Sequence, residues 1–282
     1  MKSNEEFKNI LYNESKKINL ELSDEKLEKF AIYKDLLLEW NEKMNLTAIT
    51  DEYEVIMKHF IDCLELVKYI KSGEKVIDVG TGAGFPGVVI AIYFDNIQIT
   101  LMDALNKRLI FLSEVVEKLG LKNVNIVHGR AEEMAHNPEY RECYDVVVSR
   151  AVAALNVLLE FDSAYIKVGG RCLLLKGDNV DEELSNSKNS LKILNLKYIK
   201  KYTYNYFVND EEYIRNIVEI KKVQNTSNKY PRIFGKIKKQ PLKYYKTYFI
   251  VKKSKILEFT LFFYTILLYN SREVTLWLKL YQ

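Results

Sequence analysis

A glycine-rich segment carries the residue types that binding a nucleoside cofactor would require. It reads Asp78-Val79-Gly80-Thr81-Gly82-Ala83-Gly84-Phe85-Pro86-Gly87 and follows a short apolar run. Glycines in such a turn let the backbone approach a ligand and adopt positive φ angles. The helix that the turn opens would also present free backbone N–H groups. The segment therefore predicts a cofactor loop between a strand and a helix.

Two cofactor classes fit this loop. Gly82, Gly84 and Gly87 match the dinucleotide fingerprint G-x-G-x-x-G, which is a weak signal by itself. Asp78, however, ends the strand two residues before Gly80, where a carboxylate can accept hydrogen bonds from the turn or from an ammonium group. It would be poorly placed beside a pyrophosphate. The pattern favours S-adenosylmethionine, bound through Asp78, Gly80, Gly82 and Gly84, over the alternative of a nicotinamide-dependent oxidoreductase.

Further candidate residues follow the next strands. Asp103 ends the second strand, where an acid about 20 residues past the loop can bind ribose hydroxyls in either cofactor class. Ala131 could face an adenine and Glu132 could border its edge, although acids also favour a helix start. Arg150 follows the fourth strand and could hold a cofactor carboxylate or an RNA phosphate. The alternative for Arg150 is an ordinary exposed charge.

A parallel sheet would bring these residues together. Apolar runs predict alternating strands and helices: strands at 75–79, 97–102, 124–128, 144–149 and 171–176, and helices at 88–94, 107–119, 151–166 and 181–194. This alternation predicts a doubly wound, Rossmann-like α/β sheet with helices on both faces. Asn209-Asp210, between β-like segments 198–208 and 213–223, predicts a C-terminal β-hairpin. Three helices, at 4–18, 24–44 and 51–71, precede the sheet.

Composition is typical of a globular protein, with 48% hydrophobic and 28% charged residues. Residues 1–17 are charged and lack an apolar signal core, so we expect a cytoplasmic protein. Three cysteines without a C-x-x-C pair predict neither a disulfide framework nor a metal site. Residues 221–255 carry 12 Lys and Arg and no acid. That segment indicates either a polyanionic partner or a solvated basic tail.

Taken together, several motifs resemble the GidB/RsmG family in order and spacing. They lie at residues 45–49, 59–64, 77–87, 107–112, 130–132, 149–151, 175–177 and 231–242. The resemblance covers roughly residues 5–242 and implies a bacterial enzyme that methylates N7 of one guanine in 16S ribosomal RNA. By motif position it implies cofactor contacts at Gly80, Phe85, Ala131, Glu132 and Arg150. The family often has Pro where Ala83 stands and Ser where Cys63 stands, which are small departures.

The resemblance also implies a domain organisation and partners. We expect an N-terminal helical extension at 1–71 packed on a methyltransferase domain at 72–242, followed by an atypical extension at 243–282. The apolar run 259–269 in that extension is too short to span a bilayer. It could be an interfacial appendage, but a loosely packed addition is favoured. The expected partner is 16S rRNA or a small ribosomal subunit particle, with no membrane and no obligate protein partner.

Guanine N7 has a free lone pair and needs no deprotonation, so we expect positioning and no general base. His59 and Asp62 share one helix face and could contact RNA or brace the crevice, unless they form an ordinary surface pair. The candidates for RNA contact are His59, Arg130, Arg150, Lys176, Arg232, Lys236, Lys238 and Lys239. A non-catalytic RNA-binding module is a third possibility, since it would keep the basic segment without needing the ordered cofactor residues.

Overall fold

A seven-stranded sheet with the order β3-β2-β1-β4-β5-β7-β6 organises the computed structural model, which describes residues 4–242. The strands are β1 Lys75–Val79, β2 Gln98–Asp103, β3 Val124–His128, β4 Tyr144–Arg150, β5 Ile166–Lys176, β6 Leu196–Val208 and β7 Glu211–Lys222. The first five strands run parallel, whereas β7 pairs antiparallel with β5 and β6. The predicted doubly wound α/β sheet with a C-terminal hairpin is confirmed.

Helices cover both faces of this sheet. They are α1 Asn4–Lys17, α2 Asp24–Met44, α3 Glu52–Val55, a π-helical segment Ile56–Ile61, α4 Asp62–Val67, α5 Gly87–Tyr93, α6 Asn106–Lys118, α7 Ala131–Met134, α8 Leu155–Asp162, α9 Val180–Asn186, α10 Lys188–Ile193 and α11 Phe234–Lys239. The helix predicted at 51–71 thus contains a π-helical turn. No helix within 4–242 is long and apolar enough to cross a membrane.

Successive residues of β1 point to opposite faces of the sheet, as the period of a strand requires. Val76 joins a buried cluster that contains Phe30 and Phe60 from the N-terminal helices. Ile77 joins the cluster on the other face, which contains Leu158 of α8. The N-terminal helices therefore share a core with one face of the sheet, and two hydrophobic layers hold β1 in the middle.

The helix predicted at 151–166 is much shorter in the structure. Strand β4 continues to Arg150, and Ala151 takes a positive φ of 57°, so α8 begins only at Leu155. The chain is already a strand again at Ile166, where β5 begins, so β5 starts five residues before the strand predicted at 171–176. Continuously apolar runs caused this error, because buried helices and buried strands look alike in such runs.

The predicted extension at 243–282 lies outside the described residues. Within them, β1 has β2 on one side and β4 on the other, so the chain order reverses beside β1. In open α/β sheets, ligands bind outside the carboxyl ends of the strands at such a switch point. The glycine loop begins at the carboxyl end of β1, which is therefore where a site is expected.

Candidate active site

A cavity of about 590 Å³ opens at the carboxyl ends of the parallel strands. Gly80 and Gly82 contribute the loop after β1, Asp103 the end of β2, Ala131 the segment after β3, and Arg150 the end of β4. This volume lies within the range of about 300–1,000 Å³ that is usual for small-molecule and cofactor sites. The predicted residues after four separate strands thus line one cavity at the switch point.

Asp78 organises the glycine loop from behind. Its Oδ2 accepts hydrogen bonds from the Thr81 hydroxyl at 2.7 Å and from the Gly87 backbone N–H at 2.9 Å. The side chain is fully buried, and this burial raises the pKa of Asp78 to about 7. We expected Asp78 to be a cofactor contact, but it does not line the cavity. Of the two roles open to it, holding the turn is the one that the structure shows.

Gly84 was also expected to contact the cofactor and also lies outside the cavity lining. Its φ is +97°, and an added Cβ would lie 2.6 Å from Val88 Cγ2 and 2.7 Å from Tyr33 Oη. Gly84 therefore allows the loop to pack against α2 and α5. Gly82, by contrast, lines the cavity with φ +62°, and an added Cβ would meet only Gly80 O at 4.0 Å.

Asp103 lines the cavity and is almost fully buried. Its carboxylate accepts hydrogen bonds from Gly82 N at 3.0 Å, Leu105 N at 2.8 Å and Arg108 at 3.2 Å. A carboxylate offers about four acceptor positions, so a position is left for a hydroxyl group. Asp103 thus holds the glycine loop through Gly82 and also offers an acceptor that suits a ribose hydroxyl.

An apolar slot adjoins Asp103. Met102, Ala131 and Leu105 line it, and Leu105 is 55% exposed, which is unusual for a large apolar side chain. Glu132 lines the same region, while the Ala131 carbonyl accepts a hydrogen bond from the Tyr165 hydroxyl at 2.6 Å. A flat base fits such a wall. Together with the acceptor on Asp103, these residues fit the adenosine part of S-adenosylmethionine.

His59 and Arg150 form the opposite wall. One nitrogen of Arg150 donates to the Lys58 carbonyl at 2.9 Å, and another contacts His59 Nδ1 at 3.0 Å. The His59 ring stacks on Phe85, with 4.4 Å between ring centroids. Burial, and then the Arg150 cation, lower the pKa of His59 to about 3. His59 is therefore a neutral side chain, and it does not offer a positive charge to RNA.

Asp62 supports this wall from within the protein. It is fully buried and accepts hydrogen bonds from Arg150 at 3.2 Å, from Arg215 Nε at 3.0 Å and from the Tyr204 hydroxyl at 2.7 Å. Burial alone would raise the pKa of Asp62, but Arg215 and Arg150 outweigh it and lower the pKa. His59 and Asp62 share a helix face as predicted, but that face is buried against Arg150.

Two predicted RNA contacts use their charges inside the protein. Lys176 is buried, and its Nζ donates to the Ala153 carbonyl and to Glu183, both at 2.8 Å. Arg232 donates to both carboxylate oxygens of the buried Glu160 at 2.7 Å. Because these cations already have anionic partners, the structure does not place Lys176 and Arg232 as RNA contacts.

Four of the other predicted cations face solvent, whereas Arg150 belongs to the wall described above. Arg130 lines the cavity with its side chain 59% exposed, and its only carboxylate neighbours among the described residues, Glu132 and Glu133, are 4.0 and 3.9 Å away. Lys236, Lys238 and Lys239 are exposed on α11, which begins at Phe234. The sequence did not single out Phe234, which lines the cavity and stacks on Phe161 with 6.3 Å between centroids. An exposed aromatic before a basic run would have been a signal for it.

The three cysteines contribute nothing to the cavity lining. Cys63 and Cys172 are buried and Cys143 is half-buried, all as free thiols. Across the described part of the chain, no group of three or more His, Cys, Asp or Glu side chains could hold a metal ion.

The strand order separates this fold from the dinucleotide-binding one. The Rossmann dinucleotide fold has the order 3-2-1-4-5-6 in a mostly parallel sheet, whereas here an antiparallel β7 is inserted between β5 and β6. With the glycine loop, Asp103 and the apolar slot, this fold defines an S-adenosylmethionine-dependent methyltransferase. The family model described as "GidB: rRNA small subunit methyltransferase G" matches residues 26–218, and the chain belongs to this family.

Relatives named "Ribosomal RNA small subunit methyltransferase G" match over most of their length. The protein from Clostridium perfringens strain 13 is 48% identical, over 80% of this chain and 95% of its own. That from Acetivibrio thermocellus is 50% identical, over 78% of this chain and 90% of its own. A solved precorrin-6y C5,15-methyltransferase from Geobacter metallireducens is 14% identical, with a TM-score of 0.44, covering 57% of this chain and 87% of that one.

Proposed function

We propose that this protein transfers a methyl group from S-adenosylmethionine to N7 of one guanine in 16S ribosomal RNA, in the bacterial cytoplasm. The observation that carries the proposal is the single cavity that joins a cofactor wall, built on Gly80, Gly82 and Asp103, to exposed cations at its mouth. Membership of a family named for small-subunit rRNA supports the substrate. The bound cofactor would supply a methyl group already activated on a sulfonium.

The residues of the chain then have to bind the cofactor and orient it toward the target base. Gly80 and Gly82 keep the loop backbone accessible at positive φ. Asp103 would accept from the ribose, and Leu105 with Ala131 would cover the adenine. Phe85 lines the same cavity and stacks on His59. The cavity thus fixes the direction of approach, which can supply much of the rate acceleration.

A general base is not needed, because guanine N7 presents a free lone pair in the Hoogsteen edge. The wall fits this chemistry, since His59 is neutral and both of its ring nitrogens have partners, Arg150 and Thr47. His59 therefore braces the wall and does not take up a proton.

The direct test is methyl transfer to protein-free 16S rRNA and, separately, to assembled small subunits, both lacking the modification. We expect one methyl group per RNA, mapped to N7 of a single guanine. Calorimetry should show that the protein binds S-adenosylmethionine. Binding of a nicotinamide dinucleotide without S-adenosylmethionine, or methylation of a different base atom, would refute the proposal.

RNA binding is expected to depend on salt through α11. Changing Lys236, Lys238 and Lys239 together to glutamine should lower the slope of log affinity against log salt by roughly 2, because each phosphate contact releases counterions. A control changes Lys118 and Lys122, which are exposed at the end of α6 and just before β3, and should leave the slope unchanged. Filter binding at several salt concentrations measures both, and equal slopes for the two variants would exclude α11 from the RNA contact.

A further inference from the structure

Thr47 lies in the segment between α2 and α3, and its side chain lines the cavity beside His59. Its Oγ1 is 2.9 Å from His59 Nε2 and accepts the Ile49 backbone N–H at 3.0 Å. The Thr47 backbone N–H is also bonded, to Asn41 Oδ1 at 2.8 Å. Two contacts thus hold the hydroxyl and a third holds the backbone of the same residue.

The contact between Arg150 and His59 decides which side donates in the hydrogen bond between His59 and Thr47. A guanidinium has only donors, so His59 Nδ1, at 3.0 Å from Arg150, must accept. A neutral imidazole then carries its proton on Nε2 and donates it to Thr47 Oγ1. With His59 and Ile49 both donating, the two acceptor positions of the Thr47 hydroxyl are filled. Its own proton has no acceptor among the described residues and is free for a ligand.

The position of Thr47 in the cavity indicates which ligand its hydroxyl would contact. Asp103 and Ala131, which would take the ribose and adenine, line the part of the cavity formed by β2 and β3. Thr47 lies with Arg150 at the β4 end. A cofactor whose adenosine were held by Asp103 and Ala131 would leave the β4 end, where Thr47 lies, for its methyl group and the incoming base.

We propose that the Thr47 hydroxyl donates a hydrogen bond to O6 of the target guanine and so selects guanine over adenine. The inference rests on the proposed function. On the Hoogsteen edge guanine presents two acceptors, N7 and O6, whereas adenine presents N7 beside an amino donor. A fixed donor beside the reacting N7 can hydrogen-bond to O6 of guanine. In adenine the same donor would face an amino group, which is also a donor. Both purines have a reactive N7, so the reaction itself would not distinguish them.

The test uses 16S rRNA carrying either guanine or 2,6-diaminopurine, which has an amino group in place of O6, at the modified position. The wild type should prefer guanine by at least about tenfold in kcat/KM, as expected for a site that hydrogen-bonds its substrate. Thr47→Val should lower kcat/KM for guanine RNA by roughly 10- to 100-fold while leaving diaminopurine RNA within about threefold. Thr47→Ser, which keeps the hydroxyl, should retain the preference.

Several outcomes would overturn the inference. One is a wild type that methylates guanine yet prefers it less than about threefold, a difference too small for a lost hydrogen bond, and this result needs no variant to fold. Another is that Thr47→Val lowers kcat/KM equally for both substrates, or lowers it for neither. S-adenosylmethionine binding of each variant, measured by calorimetry, establishes that its cavity is intact. If the wild type does not methylate guanine N7 at all, the proposed function itself fails.

Discussion

Replacing Gly84 with alanine should lower the free energy of unfolding by roughly 3 kcal/mol or more, because overpacking adds to left-handed strain. It should also weaken S-adenosylmethionine binding, because the glycine loop has to shift to make room for the new Cβ. The new Cβ would lie 2.6 Å from Val88 Cγ2 and 2.7 Å from Tyr33 Oη, at a φ of +97°. Tyr33 donates its hydroxyl proton to the Ala83 carbonyl, so displacing it disturbs the loop from two sides. Isothermal calorimetry measures the loss, and thermal unfolding records the accompanying destabilisation.

Gly73 provides a matched control for the backbone strain. It has φ +80°, and an added Cβ would meet nothing within 4 Å. Gly73→Ala should therefore cost only the left-handed strain, about 1–2 kcal/mol, and should leave cofactor affinity unchanged because Gly73 does not line the cavity. If both variants bound S-adenosylmethionine as the wild type does, the packing of the loop against α2 would not control the site.

Replacing Asp62 with alanine should lower the free energy of unfolding by about 3–5 kcal/mol, the usual cost of breaking a buried ion pair by removing one partner. Arg150 and Arg215 would both lose their anionic partner, and the Tyr204 hydroxyl would lose its acceptor. Urea unfolding at neutral pH measures the change. Asp181→Ala is the control, since this aspartate is 76% exposed in its pair with Lys201 and should cost at most about 1 kcal/mol.

The same variant should show a defined pH dependence. The pKa of Asp62 is lowered in the folded protein, so its stabilising contribution is present above the unfolded carboxyl pKa. It is lost as the pH falls through the folded pKa. The difference in unfolding free energy between wild type and Asp62→Ala should therefore narrow on acidification. A difference that stays constant from neutral to strongly acid pH would show that the Asp62 charge does not stabilise the fold.

Local sequence patterns were enough to predict which residues lie at the ends of the parallel strands. Gly80, Asp103, Ala131 and Arg150 all line one cavity because each follows or ends a parallel strand, and parallel carboxyl ends meet at one edge. The spacing of apolar runs with turn residues is enough to locate such ends. The role of these residues as cofactor contacts is still a prediction.

The errors concern residues whose partners are distant in the chain. Arg232 pairs with Glu160, 72 positions away, and no local pattern identifies that partner. Its charge therefore looked available for RNA. Thr47 was noticed only as part of a motif, because its significance depends on the order of contacts from Arg150 through His59. The direction of the hydrogen bond between His59 and Thr47 can be assigned only when the contact of His59 with Arg150 is known.

Two of the three arginines that line the cavity, Arg130 and Arg150, differ in exposure and pairing. Arg130, at the mouth, is 59% exposed, whereas Arg150, inside, is 11% exposed and paired with Asp62. Arg130 lies 4.0 Å from Glu132 and 3.9 Å from Glu133. Arg150 is only 3.2 Å from the buried Asp62, so the rim cation is the less tightly paired of the two. We therefore expect the phosphates of an RNA substrate to stay at the rim, near Arg130, while the target base enters the interior. We consequently expect free nucleoside polyphosphates, whose charged groups would have to enter together with the base, to bind poorly in the interior.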